Sequence, residues 1–210
     1  MSDQLKKSLL EEVVIFTGKR ETRTGAEALA PDHSPRERYR ARACPKRGAL
    51  RQDADPQRQV EEFLFHQAEL LDTKSWQAYI DLFADHGIYW MPARPDQTEW
   101  LDSPSIFAED RPLMSVRLGR ITHPNAWSQA PLWETNHIVG NVVIEELAPD
   151  AIQVRSRFQV QELRRDSSRS FAGTYRHTLL RRGDDFKIEL QRVDLMNAQA
   201  PFDYIIQAWV

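Results

Sequence analysis

The chain has 210 residues, 41% of them apolar with six Trp, a formal net charge of −3 and one cysteine. That is enough length and apolar content for one domain with a real core. A lone Cys44 excludes an intrachain disulfide, and it excludes the Cys-rich ligand sets of iron–sulfur clusters and most structural zinc sites, so the chain cannot build those centres by itself.

Charge is unevenly spread. Residues 1 to 52 carry 12 basic and 7 acidic side chains, against 16 and 24 in the remainder, so a basic leading stretch precedes an acidic body. An acidic body without a face of interleaved aromatic and basic residues argues against nucleic acid as a partner. No apolar run approaches the roughly 20 residues that span a bilayer. SLLEEVVIF (Ser8 to Phe16) is interrupted by two Glu, unlike a signal-peptide core. The expectation is a cytoplasmic protein without a membrane segment. Residues 1 to 55, rich in Arg, Pro, Ala and Gly, read as a basic, disordered arm with one short helix over Leu5 to Phe16; residues 56 to 210 read as the folded domain. Cys44 lies in the basic run Arg36 to Arg47, where nothing supplies a catalytic base.

The fold opens at Asp55 and Pro56, an N-cap followed by a first helical position. Val60, Phe63, Leu64, Ala68 and Leu71 recur at helical spacing, which predicts an amphipathic helix over Pro56 to Leu71. Asp72 and Thr73 break it. Lys74 to Phe83 reads as a shorter second helix, and Ile88 to Met91 as a first strand launched by Gly87 and stopped by Pro92. Ser105 to Leu118 reads as a third helix interrupted by Pro112. ITHPNAWSQAPLW follows as a long loop whose Trp127 and Trp133 point to contact with another surface.

From there the chain reads as a meander of four strands: Asn136 to Glu146, Ala151 to Leu163, Ser170 to Arg181 and Phe186 to Leu195. The turns between them carry the Pro, Asp, Ser and Gly that turns require. The second is the clearest. Ile152, Val154, Phe158 and Val160 share one face, while Gln153, Arg155, Arg157, Gln159 and Gln161 share the other, the period-two pattern of a half-buried antiparallel strand. In the last strand Phe186, Ile188 and Leu190 have one parity and Val193 and Leu195 the other, which predicts a β-bulge near Gln191 and Arg192 that curls the sheet. PFDYIIQAWV is apolar to its end, with Tyr204 and Trp209, and calls for a partner surface to bury it.

The six His, at 33, 66, 86, 123, 137 and 177, show neither HxxxH nor HExxH spacing, and there is no GxGxxG, P-loop or GxSxG. A curled sheet covered by helices nevertheless makes a cone whose mouth can hold a small ligand. Tyr79, His137, Tyr175, His177 and Asp194 are the polar candidates to line it, with a His/Asp pair moving protons in an isomerase, dehydratase or cyclase. The plainer reading is that these groups satisfy one another or meet a partner.

Particular residues sharpen the fold. VEEFLFHQAELLD (Val60 to Asp72), SWQAYIDLFADHGIYWMPAR (Ser75 to Arg94), NHIVGNVVIEE (Asn136 to Glu146) and FAGTYRHTLLRR (Phe171 to Arg182) resemble segments of the small β subunit of aromatic ring-hydroxylating dioxygenases, especially the benzoate-like branch. The resemblance spans about residues 56 to 210. Asn136 stands where the family usually has Arg, and His177 where Asp is common.

The resemblance implies an α+β, nuclear-transport-factor-like cone with three N-terminal helices on a curled antiparallel sheet. It implies a non-catalytic assembly subunit with no cofactor or metal of its own. A larger α subunit would bring the Rieske [2Fe-2S] cluster and mononuclear Fe(II), a reductase would feed electrons from NAD(P)H, and β trimers would underlie an α3β3 hexamer acting on an aromatic carboxylate. In that setting Trp127, Trp133, Arg155, Arg157, Tyr204 and Trp209 are the candidate subunit contacts, and the polar face of Ala151 to Leu163 reads as a wet interface. The free-standing cone enzyme, using His137, Tyr175, His177 and Asp194, is the alternative.

Overall fold

The computed structural model describes residues 55–101, 103–126, 132–202, 205–207, 209 and 210. Of the arm assigned to residues 1 to 55 all but Asp55 lies outside the described residues, as do Cys44, Trp127 and Tyr204.

Helix α1 (Pro56–Asp72) begins as the sequence requires: the Asp55 carboxylate accepts the Gln57 N–H at 3.3 Å, and Pro56 fills a position where a missing N–H costs nothing. Its buried stripe is Val60, Phe63, Leu64, Gln67, Ala68, Leu70 and Leu71. It ends when Lys74 takes a left-handed conformation (φ 59°), so that the N–H groups of Lys74 and Ser75 close back on the carbonyls of Leu71 and Leu70 at 3.1 and 2.9 Å. Helix α2 is only Trp76–Asp81.

Strand β1 (Phe83–Pro92) starts five residues earlier than the pattern predicts. Gly87 does not launch it. The glycine sits inside it at an irregularity in the β1 pairing, where an added Cβ would lie 2.5 Å from the Ile188 carbonyl oxygen. The single interrupted helix expected over Ser105 to Leu118 is two elements, β2 (Ser105–Asp110) and helix α3 (Arg111–Ile121). The physical reason lies at Asp110 and Pro112. Asp110 caps the helix by accepting the Leu113 N–H at 2.9 Å, and Pro112 belongs to its first turn, where proline starts helices and does not break them.

The remaining strands are β3 (Glu134–Leu147), β4 (Ala151–Arg164), β5 (Ser167–Arg182) and β6 (Asp185–Leu195). The sheet order is β2-β1-β6-β5-β4-β3. All neighbours are antiparallel except β1 and β6, which are parallel, so the sheet is mixed, and α3 falls after its first two strands. Among the described residues β4 alternates as the sequence predicts, with Ile152, Val154, Ser156, Phe158 and Val160 all buried. The bulge in β6 is at Glu189, two residues before the expected place: Thr178 pairs with Leu190 but Leu179 with Ile188. Leu190 is therefore only partly buried, and Gln191, Val193 and Leu195 take the inner face. Two further irregularities in β3, one at Asn141 (φ 50°), bend that edge strand.

Two expectations of exposed apolar surface fail. Trp133 is 4% exposed and stacks on Trp76, ring centroids 6.1 Å apart. Trp209 is 2% exposed against Tyr79, and Ile206 and Val210 are buried with it. Trp209 is held within the chain's own core, its ring against Tyr79 and its Nε1–H donating to Glu109 of β2, while Ile205 stays exposed.

Candidate functional site

The sequence offers two candidate sites, the interior of the cone and the polar face of the sheet. Inside, β4, β5 and β6 bring Ser156, Tyr175, His177 and Gln191 onto the buried face, and α1 and α2 add Gln67 and Tyr79. The Gln191 Oε1 atom accepts from the Tyr79 hydroxyl at 2.8 Å and from Gln67 Nε2 at 2.9 Å. Burial pushes the Tyr79 and Tyr175 phenols well above their ordinary range, so both stay protonated donors. Tyr175 stacks on Phe158 with centroids 4.1 Å apart, and its edge meets His177. Neither ring nitrogen of His177 has a partner among the described residues. Burial lowers its pKa to about 3, so the ring is neutral at physiological pH.

His137 is held differently. Its Nδ1–H and its backbone N–H donate to the two carboxylate oxygens of Asp72, at 2.6 and 2.8 Å, which ties β3 to the C-terminal end of α1. Burial alone would raise the Asp72 pKa; the hydrogen bonds and charge of His137 outweigh it and hold the carboxyl below its ordinary value. An Asp that orients Nδ1 and leaves Nε2 open has the form of a general-base dyad. It has no substrate space. The cavity beside it, lined by Leu64, Gln67, Ala68, Leu71, His137, Val139 and Tyr175, measures about 10 Å³. Asp194, the expected acidic partner inside the cone, lies on the opposite face of β6, because Val193 and Leu195 take the inward positions.

On the outer face, Arg155 of β4 stands opposite Arg176 of β5, which stands opposite Arg192 of β6. Two carboxylates separate them. Glu145 accepts from Arg155 at 2.6 Å and Arg176 at 3.3 Å, and Asp194 lies 3.6 Å from Arg176 and 2.8 Å from Arg192. Arg192 also donates to the Gln97 carbonyl at 2.6 Å and lies 4.5 Å over the Trp90 ring. Arg157, next to Arg155 on the same face, donates to the Thr174 hydroxyl at 2.6 Å. This polar band crosses four strands and is flanked on β3 by the exposed side chains of Ile138 and Val143.

A third cluster was invisible in the sequence. Glu109, buried on β2, accepts from Arg117 of α3 and from Trp209 Nε1 at 3.2 Å, so it locks the terminal segment in place. Of the site residues that sequence reasoning passed over, Gln67 was the most legible, since it is a polar residue on the apolar stripe of α1. Asp72 read only as a helix stop. Among the described residues no group of three or more His, Cys, Asp or Glu could hold a metal ion, and no helix is long and apolar enough to cross a membrane.

Comparison with known proteins adds a family. Residues 66–201 match the family described as ring hydroxylating beta subunit. The small subunit of anthranilate 1,2-dioxygenase from Acinetobacter baylyi is 31% identical over 143 residues, 66% of this chain and 88% of that one. The β subunit of benzoate 1,2-dioxygenase from the same organism is 28% identical over 154 residues, 71% of this chain and 88% of that one. Among solved structures, the β subunit of benzoate 1,2-dioxygenase from Burkholderia mallei superposes with a TM-score of 0.60 at 27% identity, covering 74% of this chain and all of that one.

Proposed function

The chain belongs to the family of ring-hydroxylating dioxygenase β subunits, and on that premise we propose that its work is assembly: it is the non-catalytic partner of a catalytic α subunit in an oxygenase that dihydroxylates an aromatic carboxylate. The observation that carries the non-catalytic reading is the filled cone. Its Asp72–His137 dyad faces a space of about 10 Å³, too small for any aromatic substrate. The carboxylate substrate rests on the relatives, whose names include anthranilate, benzoate and toluate dioxygenases.

The α subunit supplies the Rieske [2Fe-2S] cluster and mononuclear Fe(II), with a reductase passing electrons from NAD(P)H. Three β subunits form a base for three α subunits, an α3β3 hexamer in the cytoplasm. The Arg155, Arg157 and Arg176 face, with Ile138 and Val143 beside it, is a contact surface of this base. It offers exposed apolar side chains beside an arginine-rich, wet band, and interfaces are enriched in Arg and carry bridging water. Because Trp133 and Trp209 are already buried, their part is to stiffen the subunit; Trp127 and Tyr204 are kept as contact candidates from sequence alone.

The test is co-expression with an α subunit encoded beside it, recognisable by CxH and CxxH motifs. The complex should have the mass of a hexamer and oxidise benzoate or anthranilate, while the chain alone does neither. Turnover by the chain alone that disappears in His177→Ala would establish the free-standing enzyme instead.

A further inference from the structure

We propose that the cavity between α1 and the inner faces of β3 and β5 is a binding site for one ordered water molecule, which bridges His137 and Gln67. The size sets the first limit: about 10 Å³ admits a single water and no larger ligand. The polarity sets the second. Gln67 and His137 both line this cavity, and both side chains are more than nine-tenths buried. Each keeps one polar atom unpaired among the described residues, Oε1 of Gln67 and Nε2 of His137.

Their chemistry fits water in particular. Asp72 is a carboxylate, so Nδ1 of His137 carries the proton it donates, and Nε2 accepts in the neutral ring or donates in the imidazolium, either of which a water can meet. Gln67 donates through Nε2 to Gln191, which leaves Oε1 as a second acceptor. A water can donate one proton to each. If the Gln67 amide is turned over, the open group is a donor, and a water accepts from it while still donating to His137. An ammonium ion, which only donates, suits one orientation and not the other. Tyr175 also lines this space, a third polar residue at the cavity wall.

The bridge has a structural consequence. It joins two networks that otherwise stop short of one another, Asp72 of α1 with His137 of β3, and Gln67 of α1 with Gln191 of β6 and Tyr79 of α2. The result is a continuous polar chain from the end of α1 to the centre of the core.

A crystal structure of the full chain at about 1.8 Å resolution tests this. The expected result is one solvent peak within about 3.2 Å of both His137 Nε2 and Gln67 Oε1. No peak, or a peak reaching only one of the two, overturns the proposal. The variant Gln67→Leu, which keeps the Asp72–His137 pair, should lose that peak; a peak that persists unchanged shows that Gln67 does not hold it. Should that variant fail to fold, the wild-type protein still decides by NMR: a long-lived water in dipolar contact with the His137 ring is expected, and its absence overturns the proposal.

Discussion

Arg155 and Arg176 face one another across β4 and β5, and both reach the same carboxylate, Glu145, through its two oxygens at 2.6 and 3.3 Å. Two guanidinium groups directly opposite on a sheet repel, so the pairing is tolerable only with an anion between them. Glu145 lies in the irregular part of β3, where the register shifts between Ile144 and Glu146, and the extra residue there is what aims it across β4. The bend in the edge strand and the charge pattern of the face are thus one feature.

The first prediction removes that anion. Glu145→Gln should destabilise the isolated subunit by about 1 kcal/mol or less, because all three side chains are partly exposed and solvent screens them. Adding Arg176→Gln should recover most of the loss, since the repulsion then has only one source. Urea unfolding of the single and double variants measures both. Additive losses would show that Glu145 does not mediate between the two arginines.

The second concerns acid. His177 has a folded-state pKa of about 3 against an unfolded value of about 6.5, so between these limits the unfolded chain takes up a proton that the folded chain refuses. Its contribution is fully present above the unfolded pKa and is lost as pH falls, at up to about 1.4 kcal/mol per pH unit. From pH 7 to pH 5 the wild type should lose about 2 kcal/mol from this group. His177→Leu should be no less stable at pH 7, because it removes two unpartnered buried nitrogens, and should lose less on acidification. Parallel pH profiles for the two proteins would sink the assignment.

What could be read in advance follows a physical line. The alternation of β4 depends only on neighbours along the chain, and it was legible residue by residue. The β6 bulge is legible in kind but falls two residues before the place the pattern gives, because apolar Leu190 reads as a buried position while it is Gln191 that turns inward. The strand before α3 was hidden by Pro112, which reads equally as a helix break or a helix start until Asp110 is seen to cap it. The Asp72–His137 pair joins residues 65 apart in sequence, and no local pattern announces it. Trp133 and Trp209 misled for the same reason: their burial depends on Trp76 and Tyr79, partners that only the fold supplies.

The third prediction separates assembly from folding. Arg155→Glu would place a new carboxylate against Glu145 and so disturb the subunit as well as any contact it makes. Arg157→Glu is the cleaner probe, because among the described residues Arg157 gives up only its bond to Thr174. It should leave the unfolding free energy of the isolated chain within about 0.5 kcal/mol of wild type and shift the mass distribution of the co-expressed complex toward free subunits. An intact hexamer would remove this face from the interface.

The last prediction asks whether the terminal segment stabilises the subunit or the assembly. Trp209 is buried within the chain, its ring centroid 5.5 Å from that of Tyr79 and its Nε1–H donating to Glu109. Trp209→Ala therefore removes a core aromatic and takes one of the donors from a buried carboxylate. Cavity formation alone costs about 3–5 kcal/mol for such a truncation, and the weakened Glu109 adds to it. Trp209→Phe keeps most of the ring and loses only the N–H, so it should cost about 1–3 kcal/mol. If these losses appear in the isolated chain, the terminal segment belongs to the subunit's own core. If the isolated chain is unaffected and only the complex falls apart, Trp209 is an interface residue, as the sequence by itself suggested. The buried hydrogen bond to Glu109 argues for the first outcome, because an indole waiting for a partner subunit would not already be paired and packed at 2% exposure.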